Sequence, residues 1–282
     1  MEESTHPLPV LEFSDKTYSE LVEELVDDDT LIVTGSHGYP ILKELGQTVE
    51  VRDNSYRNVE RVREEYEYSK VVAFGGGTSL DMGRAIAVGK ELMVIPASLS
   101  TCGIAADKSI INYDGVDKAE RTTTPTKVIV SIQSMLESDP ERLERLSRSG
   151  FGDYLANISA SIDVQYRAGD LSMDAIRNNV PGNFEAMEWV VDSFDGYNEE
   201  CLRRLATYTH NGAVGVIVRG NNSLSAGGEH KLYYHMMEQH DRYHGAPLKP
   251  THGELVAAGT LVAAKILAEE TNQQALYDNL CN

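Results

Sequence analysis

Val71-Val72-Ala73-Phe74 runs straight into Gly75-Gly76-Gly77, and helical spacing follows over Ser79–Val88. An apolar strand, a turn of three glycines and a helix start severely limit what the surrounding chain can build. Glycine lets the backbone turn tightly and approach a ligand closely. The helix start that follows offers free N–H groups and the positive end of the helix dipole, which suits a diphosphate. The spacing is not the G-x-G-x-x-G of the ordinary dinucleotide fingerprint, so a tight strand-to-helix turn without a ligand remains the alternative. Thr78 or Ser79 is the expected helix cap in either case.

The neighbouring sequence repeats the pattern. Leu31–Gly35, Val49–Val51, Leu92–Ile95 and Lys127–Val130 read as further strands, with helical spacing over Tyr39–Leu45 and Val59–Tyr66. Strand–helix alternation argues a parallel α/β sheet. From about Ser134 the strand signals fade. Asp139-Pro140 opens a helix with proline at its first position, and Phe151–Tyr166, Asn198–Arg219, Gly228–Asp241 and Gly253–Glu270 read as others, with a loop over Asn178–Asn183. The expected organisation is an α/β dinucleotide-binding domain over residues 1–133 and an all-α domain over 134–282, with a ligand cleft between them.

The 282 residues are 41% hydrophobic and 24% charged, a globular composition that can bury a core. The net charge of −19 repels phosphate backbones and anionic bilayers, which argues against nucleic-acid and membrane partners. The same acidity reads either as ordinary solubility charge or as adaptation to a salty interior. Cys102, Cys201 and Cys281 are too few and too scattered for a disulfide framework or a cysteine metal site. No apolar leader follows the acidic start and no apolar run is long enough to span a bilayer, so a cytoplasmic location is expected.

Three helical motifs carry metal-ligand chemistry: GFGDYLANISASID with Asp153, GGEHKLYYH with His230, and THGELVAAGTLVAA with His252. Each residue alone would serve equally well as a helix cap or a satisfied polar group. Together, two imidazoles and a carboxylate make a three-ligand set that leaves a coordination position open. Each lies beside glycine at an expected helix start. His235, one turn or so beyond His230, and His240 and His244 read as solvent-facing.

In this order, GGGTSLD (Gly75–Asp81), IPASLSTCGIA (Ile95–Ala105), GFGD…N, GGEH and HGE resemble the superfamily of glycerol dehydrogenases, iron-containing alcohol dehydrogenases and dehydroquinate synthases, and within it the branch of sn-glycerol-1-phosphate dehydrogenases. The resemblance spans roughly Leu31 to Lys265. It implies a dehydroquinate synthase-like fold, an α/β nucleotide-binding domain followed by a helical metal-binding domain. It also implies a zinc- and NAD(P)-dependent reduction of dihydroxyacetone phosphate, with another divalent metal as the alternative to zinc. On that resemblance Asp153, His230 and His252 are the metal ligands. Gly75, Gly76, Gly77, Thr78, Ser79, Asp81, Ser98 and Thr101 contact the cofactor. Cys102, Lys108 and Asn112 lie near a small phosphorylated ketone, with Lys108 and His235 as candidates for the chemistry. A homo-oligomer is compatible with this reading.

The sequence departs from the branch at named positions. Ala97 and Cys102 replace a threonine and an aspartate, Arg84 stands for lysine, and no Arg-Pro precedes His230. Tyr234 occupies the position four residues after His230. Lys108 and Asn112 are placed as in dehydroquinate synthase-like cyclases, which keeps a sugar-phosphate cyclase or another polyol dehydrogenase as an alternative. A degenerate, non-catalytic homologue is a third reading.

Overall fold

The computed structural model describes residues 7–220, 223–224, 226–244 and 250–271. Six strands form one parallel sheet: β1 (Val10–Ser14), β2 (Thr30–Thr34), β3 (Gln47–Glu50), β4 (Lys70–Gly75), β5 (Glu91–Pro96) and β8 (Lys127–Ser131). Their spatial order is β1-β8-β5-β4-β2-β3. The central strands are uninterrupted apolar runs because both faces are covered. Ile32, Val72, Phe74, Met93, Ile95 and Ile129 point one way, onto Leu21 and Val22 of α1 (Tyr18–Leu25) and Leu42 of α2 (Tyr39–Leu42). The alternate residues Leu31, Val33, Val71, Ala73, Val94 and Val128 pack on Val59 and Val62 of α3 (Tyr56–Glu65) and on Leu80 and Met82 of α4 (Gly77–Ile86).

A separate antiparallel hairpin, β6 (Lys108–Tyr113) and β7 (Val116–Arg121), packs on α4. Beyond β8 the described chain is helical: α5 (Ile132–Leu136), α6 (Pro140–Leu155), α7 (Asn157–Ala168), α8 (Met173–Asn179), α9 (Pro181–Ser193), α10 (Glu199–Arg219), α11 (Gly228–His244) and α12 (His252–Thr271). The Asp139 carboxylate caps α6 by accepting from the Arg142 N–H at 2.8 Å, ahead of Pro140 at the first helical position. Phe151, Tyr154, Leu202 and Leu205 from these helices join the core of the α3–α4 side, so one apolar mass runs through both parts. Among the described residues, no helix is long and apolar enough to cross a membrane.

Several elements differ from the sequence reading. β1, α1 and the β6–β7 hairpin were not expected. The hairpin closes on Asp114-Gly115, both with positive φ (51° and 92°), the conformation that twists two strands together in a tight turn. The expected Phe151–Tyr166 helix divides at Ala156 between α6 and α7. The expected loop over Asn178–Asn183 is almost closed, since only Val180 separates α8 from α9.

Candidate active site

β4 ends at the glycine loop, and Gly75 has a φ of +139°, where a β-carbon would lie 2.7 Å from Ser79 Oγ. Only glycine fits there. The cap of α4 is Gly76, in place of the expected Thr78 or Ser79, and it makes no side-chain bond to the first turn. The helix start is thus presented without a capping side chain. It faces a cavity of about 780 Å³ lined by Gly35, His37, Arg52, Gly75–Ser79, Ser98, Leu99 and Arg142. β3 lies on one side of β2 and β4 on the other. The cavity therefore sits where the strand order reverses, at the carboxyl ends of the strands, the usual ligand crevice of open α/β sheets.

Of the residues expected at the cofactor, Gly75, Gly76, Gly77, Thr78, Ser79 and Ser98 line this cavity, while Asp81 and Thr101 are not among its walls. The Asp81 carboxylate accepts from Arg84 Nη2 at 2.7 Å, and burial pushes its pKa up against the pull of that guanidinium. Thr101 Oγ1 accepts from the Gly103 N–H and caps the short 3-10 turn Cys102–Ala105. Arg84 Nη1 donates to the Gly103 carbonyl at 2.7 Å, so Asp81 and Arg84 tie α4 to the loop that follows β5.

That loop leads to a second cluster. The Cys102 N–H donates to Asp153 Oδ2 at 2.7 Å. Asp153 Oδ1 lies 3.2 Å from His252 Nε2 and 3.5 Å from His230 Nε2, and the three donor atoms fall within 4.8 Å of one another. Asp153 is not at a helix start. It lies in the last turn of α6, and the glycines around it serve contact. A β-carbon on Gly150 would lie 1.8 Å from the Leu99 carbonyl oxygen, and one on Gly152 2.5 Å from the Gly253 carbonyl oxygen. α6 thereby approaches both the loop after β5 and the start of α12, where His252 is the first residue. The Ser149 hydroxyl holds the same junction, donating to the Ser100 carbonyl and accepting from the Gly253 N–H.

Burial pushes the Asp153 carboxyl up, but His230 and His252 outweigh it and hold it below the usual carboxylate range. Burial lowers His230, yet Asp153 and Glu229 together push it up to about 9. A tetrahedral zinc with ligands at about 2.0–2.2 Å has donors about 3.4 Å apart. The 3.2 and 3.5 Å separations fit that edge. Two imidazoles and one carboxylate also suit ferrous iron.

Two residues beside the cluster escaped the sequence reading. The Tyr233 ring meets the His252 ring edge-on at 4.5 Å. Glu229 is fully buried and reaches His230 Nδ1 at 2.9 Å. Its adjacency to His230 in GGEH was the available signal. His235 lies about 140° round the helix from His230, at about 100° per residue, and is exposed, so α11 turns it away from Asp153. Lys108, Ile110 and Asn112 share one face of the hairpin, opposite Arg121, Ala119 and Asp117. Burial raises the Tyr233 and Tyr234 phenols, and the Asp117 carboxylate adds to the rise. Asn112 is engaged within the hairpin, donating to Asp117 and accepting from the Gly115 N–H. The Cys102 thiol is held well above its ordinary pKa by burial, reinforced by Asp153.

Residues 16–138 match the family described as iron-containing alcohol dehydrogenase. The chain is 24% identical over 263 residues to a glycerol-1-phosphate dehydrogenase [NAD(P)+] of Methanococcus maripaludis, covering 88% of this chain and 74% of that one. It is 25% identical over 274 residues to the enzyme of the same name from Thermoplasma volcanium, with 89% and 73% covered. In fold it is similar to a probable glycerol dehydrogenase from Sinorhizobium meliloti, with a TM-score of 0.66 at 17% identity over 94% of this chain and 79% of that one. A sulfoacetaldehyde reductase from Bifidobacterium kashiwanohense, solved with NAD+, gives 0.59 at 15% identity over 94% and 77%. The parallel sheet followed by a helical region is thus the fold of the glycerol dehydrogenase and iron-containing alcohol dehydrogenase enzymes. Within that class the sequence resembles the sn-glycerol-1-phosphate dehydrogenases.

Proposed function

We propose that this chain reduces dihydroxyacetone phosphate to sn-glycerol 1-phosphate with NADH or NADPH, the reaction that supplies an archaeal-type lipid backbone. One observation carries the reading: a single loop joins the two sites. Ser98 and Leu99 line the glycine-loop cavity, and Cys102, three residues beyond Leu99, donates to Asp153. Gly75–Gly77 would hold the diphosphate of a dinucleotide, and Leu99 leads from the same cavity to the Asp153 cluster, where a nicotinamide would be needed. Gly35, His37 and Arg52, which line the same cavity, would be available to the dinucleotide's adenosine. The names of the sequence relatives point to the same reaction.

Asp153, His230 and His252 are the proposed zinc ligands, and an ion held there would supply Lewis-acid polarisation of a carbonyl oxygen. The protein's own part is to hold ketone and cofactor in line and to shape a buried site around them. Lys108, on the hairpin face it shares with Asn112, is the proposed cation for the substrate phosphate. His235 faces away, so proton delivery runs through solvent.

The test is direct. Purified protein, zinc and each reduced cofactor are incubated with dihydroxyacetone phosphate while nicotinamide absorbance is followed. Stoichiometric oxidation is the expected result. No net absorbance change, with phosphate released from a seven-carbon sugar phosphate, would replace this reading by a cyclase.

A further inference from the structure

Glu229 is the most costly side chain in the helical region to explain. It is 0% exposed, and a carboxylate in that position is tolerated only if its lone pairs are filled. Oε1 accepts from the Gly227 N–H at 2.6 Å and faces His230 Nδ1 at 2.9 Å. Oε2 lies 2.8 Å from the Ser159 hydroxyl of α7, whose single proton it shares with the Ala156 carbonyl, also at 2.8 Å. These bonds and His230 hold Glu229 below the ordinary carboxylate range against the opposing effect of burial. The backbone leaves no room for adjustment. A β-carbon on Gly259 of α12 would lie 2.9 Å from the Glu229 carbonyl oxygen, and one on Gly227 2.9 Å from Glu229 Oε2.

An imidazole that coordinates through one nitrogen carries its proton on the other, and whatever accepts that proton sets the ring's tautomer, orientation and basicity. Here Nδ1 faces Glu229, while Nε2 faces Asp153 Oδ1. We propose that Glu229 is a positioning residue that, steadied by Ser159, fixes the His230 tautomer and sharpens its Nε2 for a divalent metal ion. The inference rests on the metal reading of Asp153, His230 and His252. It adds a fourth helix, α7, to the α6, α11 and α12 that carry the ligands themselves.

The experiment measures zinc affinity of the metal-stripped full chain by competition with a chromophoric chelator, without cofactor or substrate. Wild type, Glu229→Gln and Ser159→Ala are compared, and the melting temperature of each stripped protein is recorded. Glutamine keeps the shape and loses the charge. It should weaken zinc by about 10–100-fold, the usual effect of losing such a partner, with little change in the melting of the stripped protein. Ser159→Ala should weaken zinc by about two- to fivefold, as loss of one hydrogen bond implies. A folded Glu229→Gln protein with wild-type affinity overturns the proposal. If that variant does not fold, Ser159→Ala decides: weaker binding supports the role and unchanged binding overturns it. Wild-type protein that takes up no zinc overturns the metal site, and this inference with it.

Discussion

Gly253 of α12 sits against the backbone of Ser149 in α6: a β-carbon on Gly253 would lie 1.7 Å from the Ser149 carbonyl oxygen. The Gly253 N–H also donates to Ser149 Oγ. This contact seats His252 beside Asp153. Gly253→Ala must push the helices apart, because the obstructing atom is backbone. We expect a loss of about 1–3 kcal/mol in stability, typical of overpacking, and a larger proportional loss of metal uptake. Denaturant unfolding and metal analysis of the purified variant check this. Full metal content at wild-type stability would contradict it.

Gly76 is the opposite case. A β-carbon there meets nothing within 4 Å, so the fold accepts a side chain. The open space is the cavity before α4. Gly76→Val should keep its far-ultraviolet spectrum and metal content while losing dinucleotide binding. Calorimetric titration with NADH and NADPH measures this, and unchanged affinity would remove the diphosphate from the glycine loop.

Cys201 gives a pH-dependent prediction outside the site. Burial, reinforced by Asp195, pushes its thiol up to about 12 from an ordinary 9.0. In the folded chain it stays neutral where the unfolded chain already forms thiolate. Its contribution to stability is therefore complete below about pH 9 and is lost as pH rises from 9 toward 12. Native protein at pH 8 should leave Cys201 unlabelled by iodoacetamide, as peptide mass spectrometry reads it, and urea should expose it. Rapid labelling of the native chain would show that the thiol is accessible.

The charge of −19 separates two readings of the acidic surface. If the acidity is an adaptation to salt, screening of self-repulsion should raise the melting temperature steadily from low to molar potassium chloride. A flat or falling curve returns the charge to ordinary solubility.

Local patterns carried much of the architecture into view. The runs at Leu31–Val33, Val71–Phe74 and Leu92–Ile95 are apolar throughout because the sheet buries both their faces. The strand-to-helix turn at Gly75 declares itself through residues that are adjacent in sequence. Long-range roles were less legible. Asp153 reads as the start of a helix from its flanking glycines, yet those glycines permit contact with Leu99 and Gly253, which lie far from it in sequence. Glu229 acquires its meaning only when Ser159, seventy residues away, is folded against it. His235 and Tyr233 exchange importance because helical phase, not proximity to His230 in the chain, decides which ring reaches the cluster. The hairpin was hidden by the weak signal of Asp114-Gly115 between strands of mixed polarity.

The substrate phosphate is the least constrained part of the proposed reaction. No Arg-Pro precedes His230, and the nearby Arg84 is committed to Asp81 and the Gly103 carbonyl. On the hairpin face that carries Lys108, Arg121 pairs with Asp107 at 3.3 Å. Lys108, directly across the ladder from Arg121, is the cation we assign to the phosphate. An ionic phosphate contact supplies binding in the ground state as well as the transition state, so its loss appears mainly in KM. Lys108→Ala should raise KM for dihydroxyacetone phosphate by about tenfold, the effect of removing roughly 1.4 kcal/mol. Its KM for unphosphorylated dihydroxyacetone should change little, and kcat for either should stay within about twofold. Steady-state kinetics on both ketones with the same cofactor make the comparison. Equal losses on the two ketones would mean that Lys108 supports the hairpin without touching phosphate.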